Sequence, residues 1–334
     1  QGLLEHMPEE VGERLVLLSG DARIIVKQRR FGYEAERSDL DQIAYSAILE
    51  GMGYKAFTNQ FAFLARKVPY DRLRETALEA EASSGVDMSA LTQALLLQAA
   101  GLMPSTFDDK FAPEARVHYR RLRHLAQKYG SGGDNENGET IKWKAAAARP
   151  ANRPERRIAG IAHTLSCSYR DGLFQSMLAR ILESDRKKAQ KRTIGFFTGA
   201  YDQFWSYYFS SHGKRLEKAA AIVGNDRAQT IMVNAFIPLA LLHVRSEHSS
   251  ENEERVHNLF QKLPTSQPNS VTRLMEYRMF GGMNKTRALK SARAQQGLLQ
   301  IFADWCSEDP SCENCGIFAG LQSGYISEKL MQQV

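Results

Sequence analysis

The chain has 334 residues, of which 43% are hydrophobic and 25% charged, a balance that excludes a mainly disordered protein. Its 24 Gly and 10 Pro are too few for a collagen-like or low-complexity chain. The net charge of +6 permits an anionic partner without requiring one.

Helical spacing runs almost from end to end. Leu40, Ile43, Ala44, Ala47 and Ile48 share one face, with Asp39 or Ser38 as cap and Gly51 and Gly53 as stop signals. Phe57, Phe61, Leu64 and Ala65 make a second face. Pro69 opens a further helix to about residue 82, and residues 91–100 form a strongly apolar one ending at Gly101. Residues 116–129 make a basic helix. The stretch 130–138, GSGGDNENG, has nothing to bury and reads as a flexible loop. Helical spacing resumes at 158–165, 173–182, 222–244, 256–263, 271–280 and 286–305, with Pro238 expected to kink the helix it interrupts. Alternating β-branched runs with hairpin turns are missing. The expectation is an all-α, multi-helical array of about 12–15 helices with few or no strands. Its domains would be an N-terminal helical half (1–130), a Gly/Asn loop (131–140) and a C-terminal helical half (141–334), or one continuous helical domain.

No run reaches the ~20 apolar residues of a membrane helix. The nearest, 231–244, is shorter and contains Asn234 and Pro238. The start lacks the pattern of a secretory signal, and four Cys do not form a disulfide framework. A cytoplasmic location with no membrane partner is the expectation.

Three constellations carry chemistry. Cys306, Cys312 and Cys315 form C-x5-C-x2-C after a long helix, and three thiolates gathered by a short loop suit a soft metal ion. The spacing fits zinc or an iron–sulfur cluster, and equally three reduced, metal-free thiols. A fourth ligand could be Cys167, His163, His212 or a solvent or substrate atom. Next, RPANRPERR at 149–157 brings Arg149, Arg153, Arg156 and Arg157 to a helix N-terminus, where backbone N–H groups also favour an anion. Asn152 and Glu155 have the spacing of a capping box. The alternative is a rigid loop whose arginines pair with neighbouring carboxylates. Last, the basic run Arg186, Lys187, Lys188, Lys191 and Arg192 precedes Phe196, Phe197, Tyr201, Phe204, Trp205, Tyr207 and Tyr208. Cations beside aromatics suit single-stranded nucleic acid, although 197, 201, 204 and 208 are also spaced as a buried stripe. Asn234, in an apolar helix, should bond a neighbouring helix. Phosphate-binding, dinucleotide, zinc-protease and serine-hydrolase motifs are absent.

Taken in order, GDARIIVKQRRF (20–31), AYSAILEGMGYKAFTNQFAFLARKVP (44–69), ALLLQAAGLMP (94–104), RPANRPERRIA (149–159), VNAFIPLAL (233–241) and ARAQQGLL (292–299) resemble the bacterial family called domain of unknown function 2851. The resemblance runs over about residues 10 to 316. It implies an uncharacterised cytoplasmic protein whose relatives usually carry an N-terminal β-containing region, loosely reminiscent of restriction-type nucleases, ahead of the part seen here. The family's Cys motif falls on Cys306, Cys312 and Cys315, and its Arg-Pro-x-Asn motif on Arg149, Pro150 and Asn152, without known catalytic roles.

The functional expectation is a helical module, without catalytic activity in this chain alone, that associates with nucleic acid. Arg149, Arg153, Arg156 and Arg157 are the first phosphate contacts, and Lys187, Lys188, Lys191 and Arg192 the second. Cys306, Cys312 and Cys315 would hold zinc or, alternatively, an iron–sulfur cluster. The other readings are a protein-interaction scaffold docking on an upstream, nuclease-like catalytic domain, and a fragment of an iron–sulfur enzyme, which would be coloured.

Overall fold

Fourteen α-helices and no strands beyond one isolated bridge between Pro264 and Ser291 are found among the described residues of this computed structural model. Those residues are 9–130, 140–143, 150–281, 290–308, 311–312 and 315–324. The expected all-α array is therefore the observed one. The chain divides into two compact units, one formed by Gln1–Gly32 with Ile237–Val334, the other by Tyr33–Phe236. The expected loop at 131–140 lies, apart from Thr140, outside the described residues.

The continuous unit, Tyr33–Phe236, holds α2 (Leu40–Lys67), α3 (Tyr70–Ser84), α4 (Met88–Ala99), α5 (Pro113–Tyr129), α6 (Pro154–Ser166), α7 (Leu173–Ile181), α8 (Arg186–Thr198) and α9 (Asn225–Ile231). α4 is its centre, packed on both α5 and α6. Its Leu91, Ala94, Leu96 and Leu97 are fully buried, which explains the near-continuous apolar run in its sequence. Asp87 caps it with bonds from Ser89 N and Ala90 N, and Gly101, at φ +67°, follows its end.

One local expectation fails in α2. Gly51 and Gly53 do not stop the helix, which runs unbroken through them. Tertiary contacts override the weak helix propensity of glycine. A Cβ on Gly51 would lie 3.0 Å from the Ile231 side chain, so the missing side chain is the contact surface for α9.

The discontinuous unit holds α1 (Glu9–Ala35, all but its last turn), α10 (Ile237–Ser246), α11 (Ser250–Lys262), α12 (Ser270–Phe280), α13 (Ala292–Ile301) and α14 (Gly316–Gln322). Val16, Met275, Met279, Leu298, Ile301 and Ile317 are among the residues that form its core. α12 begins with a full capping box between Asn269 and Thr272. α13 begins at Ala292 under a Ser291 cap and continues as a π turn, Phe302–Cys306. The part of the expected 286–305 helix before residue 290 lies outside the described residues.

Residues 225–246 form one helical run, close to the expected 222–244, with a π turn at Met232–Phe236. The π turn ends two residues before Pro238, the residue with no N–H to donate. Asn234, expected to bond a neighbouring helix, donates from Nδ2 to Thr230 O of its own run at 2.7 Å. By length and composition this run could cross a membrane, and 72% of the qualifying window is buried inside the protein.

Candidate functional site

The proline–arginine segment is built as a structural clasp. Arg149 lies outside the described residues. Pro150–Asn152 form a short 3-10 turn, and α6 starts at Pro154, whose fixed φ suits the first helical position. The N-cap is Arg153, with no side-chain capping bond, so the expected Asn152–Glu155 box does not form. Arg153 instead pairs with Glu155 at 3.3 Å.

Arg156 and Arg157, expected to meet phosphate, are buried at 3% and 7% exposure. The Arg156 guanidinium donates to the carbonyls of Trp205 (3.2 Å), Ile222 (3.2 Å), Ala220 (3.3 Å) and Ala221 (2.8 Å). Burial pushes its pKa down to about 10. Arg157 Nη1 donates to Met52 O (2.6 Å) and Gly53 O (3.1 Å) inside α2, and Arg227 Nη1 donates to Gly51 O (2.9 Å). These donors point into the protein: Arg156 and Arg157, expected as anion contacts, clamp backbone carbonyls, Arg156 those of residues 205 and 220–222 and Arg157 those of α2. A five-donor fork that never loses its proton at neutral pH suits that work.

The second basic cluster is placed on the surface. In α8, Ala189, Thr193, Phe196 and Phe197 face inward, while Lys187, Lys188, Lys191 and Arg192 are exposed. Asp185 caps the helix through Lys188 N at 2.9 Å, and Arg192 pairs with Glu183 at 2.7 Å. The following aromatics are mostly core: Phe197, Phe204, Trp205 and Tyr208 are buried, and only Tyr201 of the 197/201/204/208 series stands out, at 53% exposure. The other three residues of the series are buried, but not as one helical stripe, because only Phe197 lies in α8. α8 ends at Thr198, and Asp202 Oδ1 organises the next turn by accepting from Phe204 N (2.8 Å) and Trp205 N (2.7 Å).

Cys306, Cys312 and Cys315 line one small cavity of about 130 Å³, together with Arg278, Met275 and Trp305. The π turn of residues 302–306 ends on Cys306, and Cys315 is the N-cap of α14. A Cβ on Gly316 would lie 2.6 Å from the Trp305 ring, so glycine lets that ring close over the turn. Burial pushes the Cys306 thiol above its usual range, the adjacent Arg278 guanidinium pulls it back, and Cys315 and Cys312 push it up again. Arg278 Nη1 is buried without a hydrogen-bond partner among the described residues. No three Cys, His, Asp or Glu side chains among the described residues stand close enough to ligate one ion. A shared cavity and soft donors are therefore present, and ligation requires the sulfurs to draw closer.

A further cleft, of about 670 Å³ and unannounced by any motif, is walled by α4, α5, α6 and the 201–204 turn. His118 of α5 and His163 of α6 line it, with Gln93, Tyr201, Asp202 and Glu114. Gln93 sets the geometry: its amide nitrogen donates to Asp202 Oδ2 at 3.2 Å and its oxygen accepts from Trp205 Nε1 at 2.8 Å. That oxygen is 3.3 Å from His118 Nε2, which is thereby the protonated nitrogen of a neutral ring. Burial pushes the His118 pKa down, against Asp202 and with Arg121. Burial does the same at His163, against Asp87 and Asp202. His163 Nε2 also lies 3.7 Å from Cys167 Sγ. These residues come from four separate segments, so no short sequence pattern could have pointed to them.

A family model described as a protein of unknown function, DUF2851, matches residues 21–269. No curated protein and no solved structure matches the chain.

Proposed function

The chain belongs to the DUF2851 family of proteins of unknown function, and for this member we propose a non-enzymatic helical module that associates with nucleic acid and whose C-terminal turn is pinned by a metal ion. The observation that carries the reading is α8: four cations, Lys187, Lys188, Lys191 and Arg192, exposed on one short helix whose apolar residues are buried. Such a strip neutralises successive phosphates and releases their counterions. With Arg156 and Arg157 turned inward, this helix replaces the proline–arginine segment as the primary contact surface. The metal reading rests on three thiols lining one cavity. Zinc would act as a structural staple there, and an iron–sulfur cluster is the alternative occupant.

Binding of a labelled single-stranded oligonucleotide across a salt series tests the reading. The K187E/K188E/K191E/R192E variant should bind far more weakly, and its salt slope should shrink by roughly 0.7 for each phosphate it no longer neutralises. Unchanged affinity in a folded variant sinks it.

A second reading, a scaffold that docks an upstream catalytic domain, is favoured by Leu18, Ile25 and Val26. These apolar side chains of α1 are exposed at helical spacing. It predicts capture of that domain and no salt-sensitive binding of nucleic acid.

A further inference from the structure

The 670 Å³ cleft has the size and the chemistry of a small-ligand site, and its walls restrict what it can accept. Asp87, Glu114 and Asp202 line it against one guanidinium, Arg121, which is already paired with Asp87 at 3.2 Å. A phosphate is therefore repelled. Among the described residues, the lining of the cleft has two imidazoles and three carboxylates but no thiol, and no three of them stand close enough to ligate one ion. Burial disfavours the charged form of both imidazoles, and because the Nε2–H of His118 is already given to Gln93, that ring keeps only an acceptor nitrogen for a ligand.

Two of the lining rings, His118 and Phe204, belong to a stack of flat rings that continues behind the wall to Tyr208. Tyr208 lies on Phe204 at 4.6 Å and 13°, and Phe204 lies on His118 at 4.9 Å and 26°. Gln93 fixes the edge of His118, because its own amide is held at both ends by Asp202 and Trp205. At the mouth stands Tyr201, the aromatic ring of its series that the core does not absorb. A fixed polar edge, an exposed ring and a negative rim together suit a neutral, planar heteroaromatic that can donate and accept hydrogen bonds.

We propose that the cleft receives an unstacked nucleobase, with Tyr201 stacking on its face and His118 and His163 bonding its edge. The inference deepens the nucleic-acid reading: phosphates would stay outside on α8 while one base enters the cleft. It rests on that reading only for the source of the base, because a free nucleoside carries the same chemistry.

The test uses the full chain and free nucleosides, followed by the intrinsic fluorescence of the protein, whose Trp205 borders the site through Gln93. Saturable quenching by at least one of adenosine, guanosine, cytidine and uridine is expected. The corresponding 5′-monophosphate should bind several-fold more weakly. Y201A should weaken nucleoside binding about tenfold while Y201F leaves it nearly unchanged, as for a stacking contact. Tyr201 is exposed, so neither variant threatens the fold. Absence of saturable binding by all four nucleosides overturns the proposal, as does tighter binding of the monophosphates or of a simple aromatic amine such as tryptamine. The charge-reversed α8 variant separates the two claims. Nucleoside binding that survives in it, with oligonucleotide binding absent from the wild type, leaves the cleft standing and removes the α8 surface. Oligonucleotide binding with no nucleoside binding does the reverse.

Discussion

Asp21 on α1 and Arg293 on α13 form an ion pair where two glycines bring the helix backbones together. Arg293 Nε donates to Asp21 Oδ1 at 2.8 Å, and a second bond joins Nη2 to Oδ2. A Cβ on Gly20 would sit 2.2 Å from Arg293 O, and one on Gly297 would sit 1.9 Å from Val16 O. Arg23 extends the seam to Gln296 and Gln300 at 3.0 and 3.2 Å. Two stretches far apart in the chain, GDAR at 20–23 and ARAQQG at 292–297, are thus the two sides of one helix crossing.

Alanine at either glycine should force that crossing apart. G20A and G297A are each expected to destabilise the protein by about 1–3 kcal/mol, the range for overpacking a tight contact. Urea denaturation followed by circular dichroism measures this; stability equal to wild type would mean that the helices do not meet so closely.

Replacing Arg157 by Met removes the donor for the Met52 and Gly53 carbonyls while keeping an apolar stem. A loss of about 1–3 kcal/mol is expected for the buried, charge-assisted bonds that disappear. At a temperature where the variant stays folded, its oligonucleotide affinity should equal that of the wild type, because Arg157 faces inward. A selective loss of affinity with full stability would restore it as a phosphate contact.

Protein purified without oxygen should carry close to one equivalent of zinc, or iron with a brown chromophore, measured by elemental analysis and visible absorption. Chelation should lower the melting temperature, and C306S should lower both metal content and melting temperature, because the bound metal stabilises only the folded state. Metal-free protein with an unchanged melting temperature would leave the thiols as ordinary side chains.

The two cleft histidines predict a pH dependence. Their folded pKa values lie below the ordinary ~6.5. As pH falls below ~6.5 the unfolded chain takes up protons that the folded one refuses, so stability is full above that value and declines below it towards the folded pKa values. Asp202 and Asp87 limit the decline by favouring the charged rings, and Arg121 adds to it at His118. Melting temperatures between pH 7.5 and 5 should show a decline that H163Q reduces; an identical profile in the variant would exclude His163 as a contributor.

Long apolar periodicity was legible in the sequence because it depends only on residues within one helix. α4, α7 and α12 follow it closely. Charge was legible only as charge. Arg156 and Lys187 read alike along the chain, yet one is held by four carbonyls and the other lies in solvent, and that difference depends on partners 49 to 66 residues away for Arg156. Gly51 and Gly53 misled for the same reason, since Ile231, Arg157 and Arg227 decide the local structure there. The cleft was invisible because Gln93, His118, His163 and Asp202 share no spacing rule; only the packing of α4 on α5 and α6 brings them together.

The division of the chain also sets an order of events during synthesis. Residues 1–32 share a unit with the chain from Ile237 onward, so roughly two hundred residues must be made before that unit can begin to assemble. At about 5–20 residues per second, that is on the order of 10–40 s. During that interval Val11, Val16 and Ile24, which the finished protein buries, lack the later part of their own unit. The unit made of Tyr33–Phe236 can close first on the ribosome, while the unit that contains α1 waits for its second half.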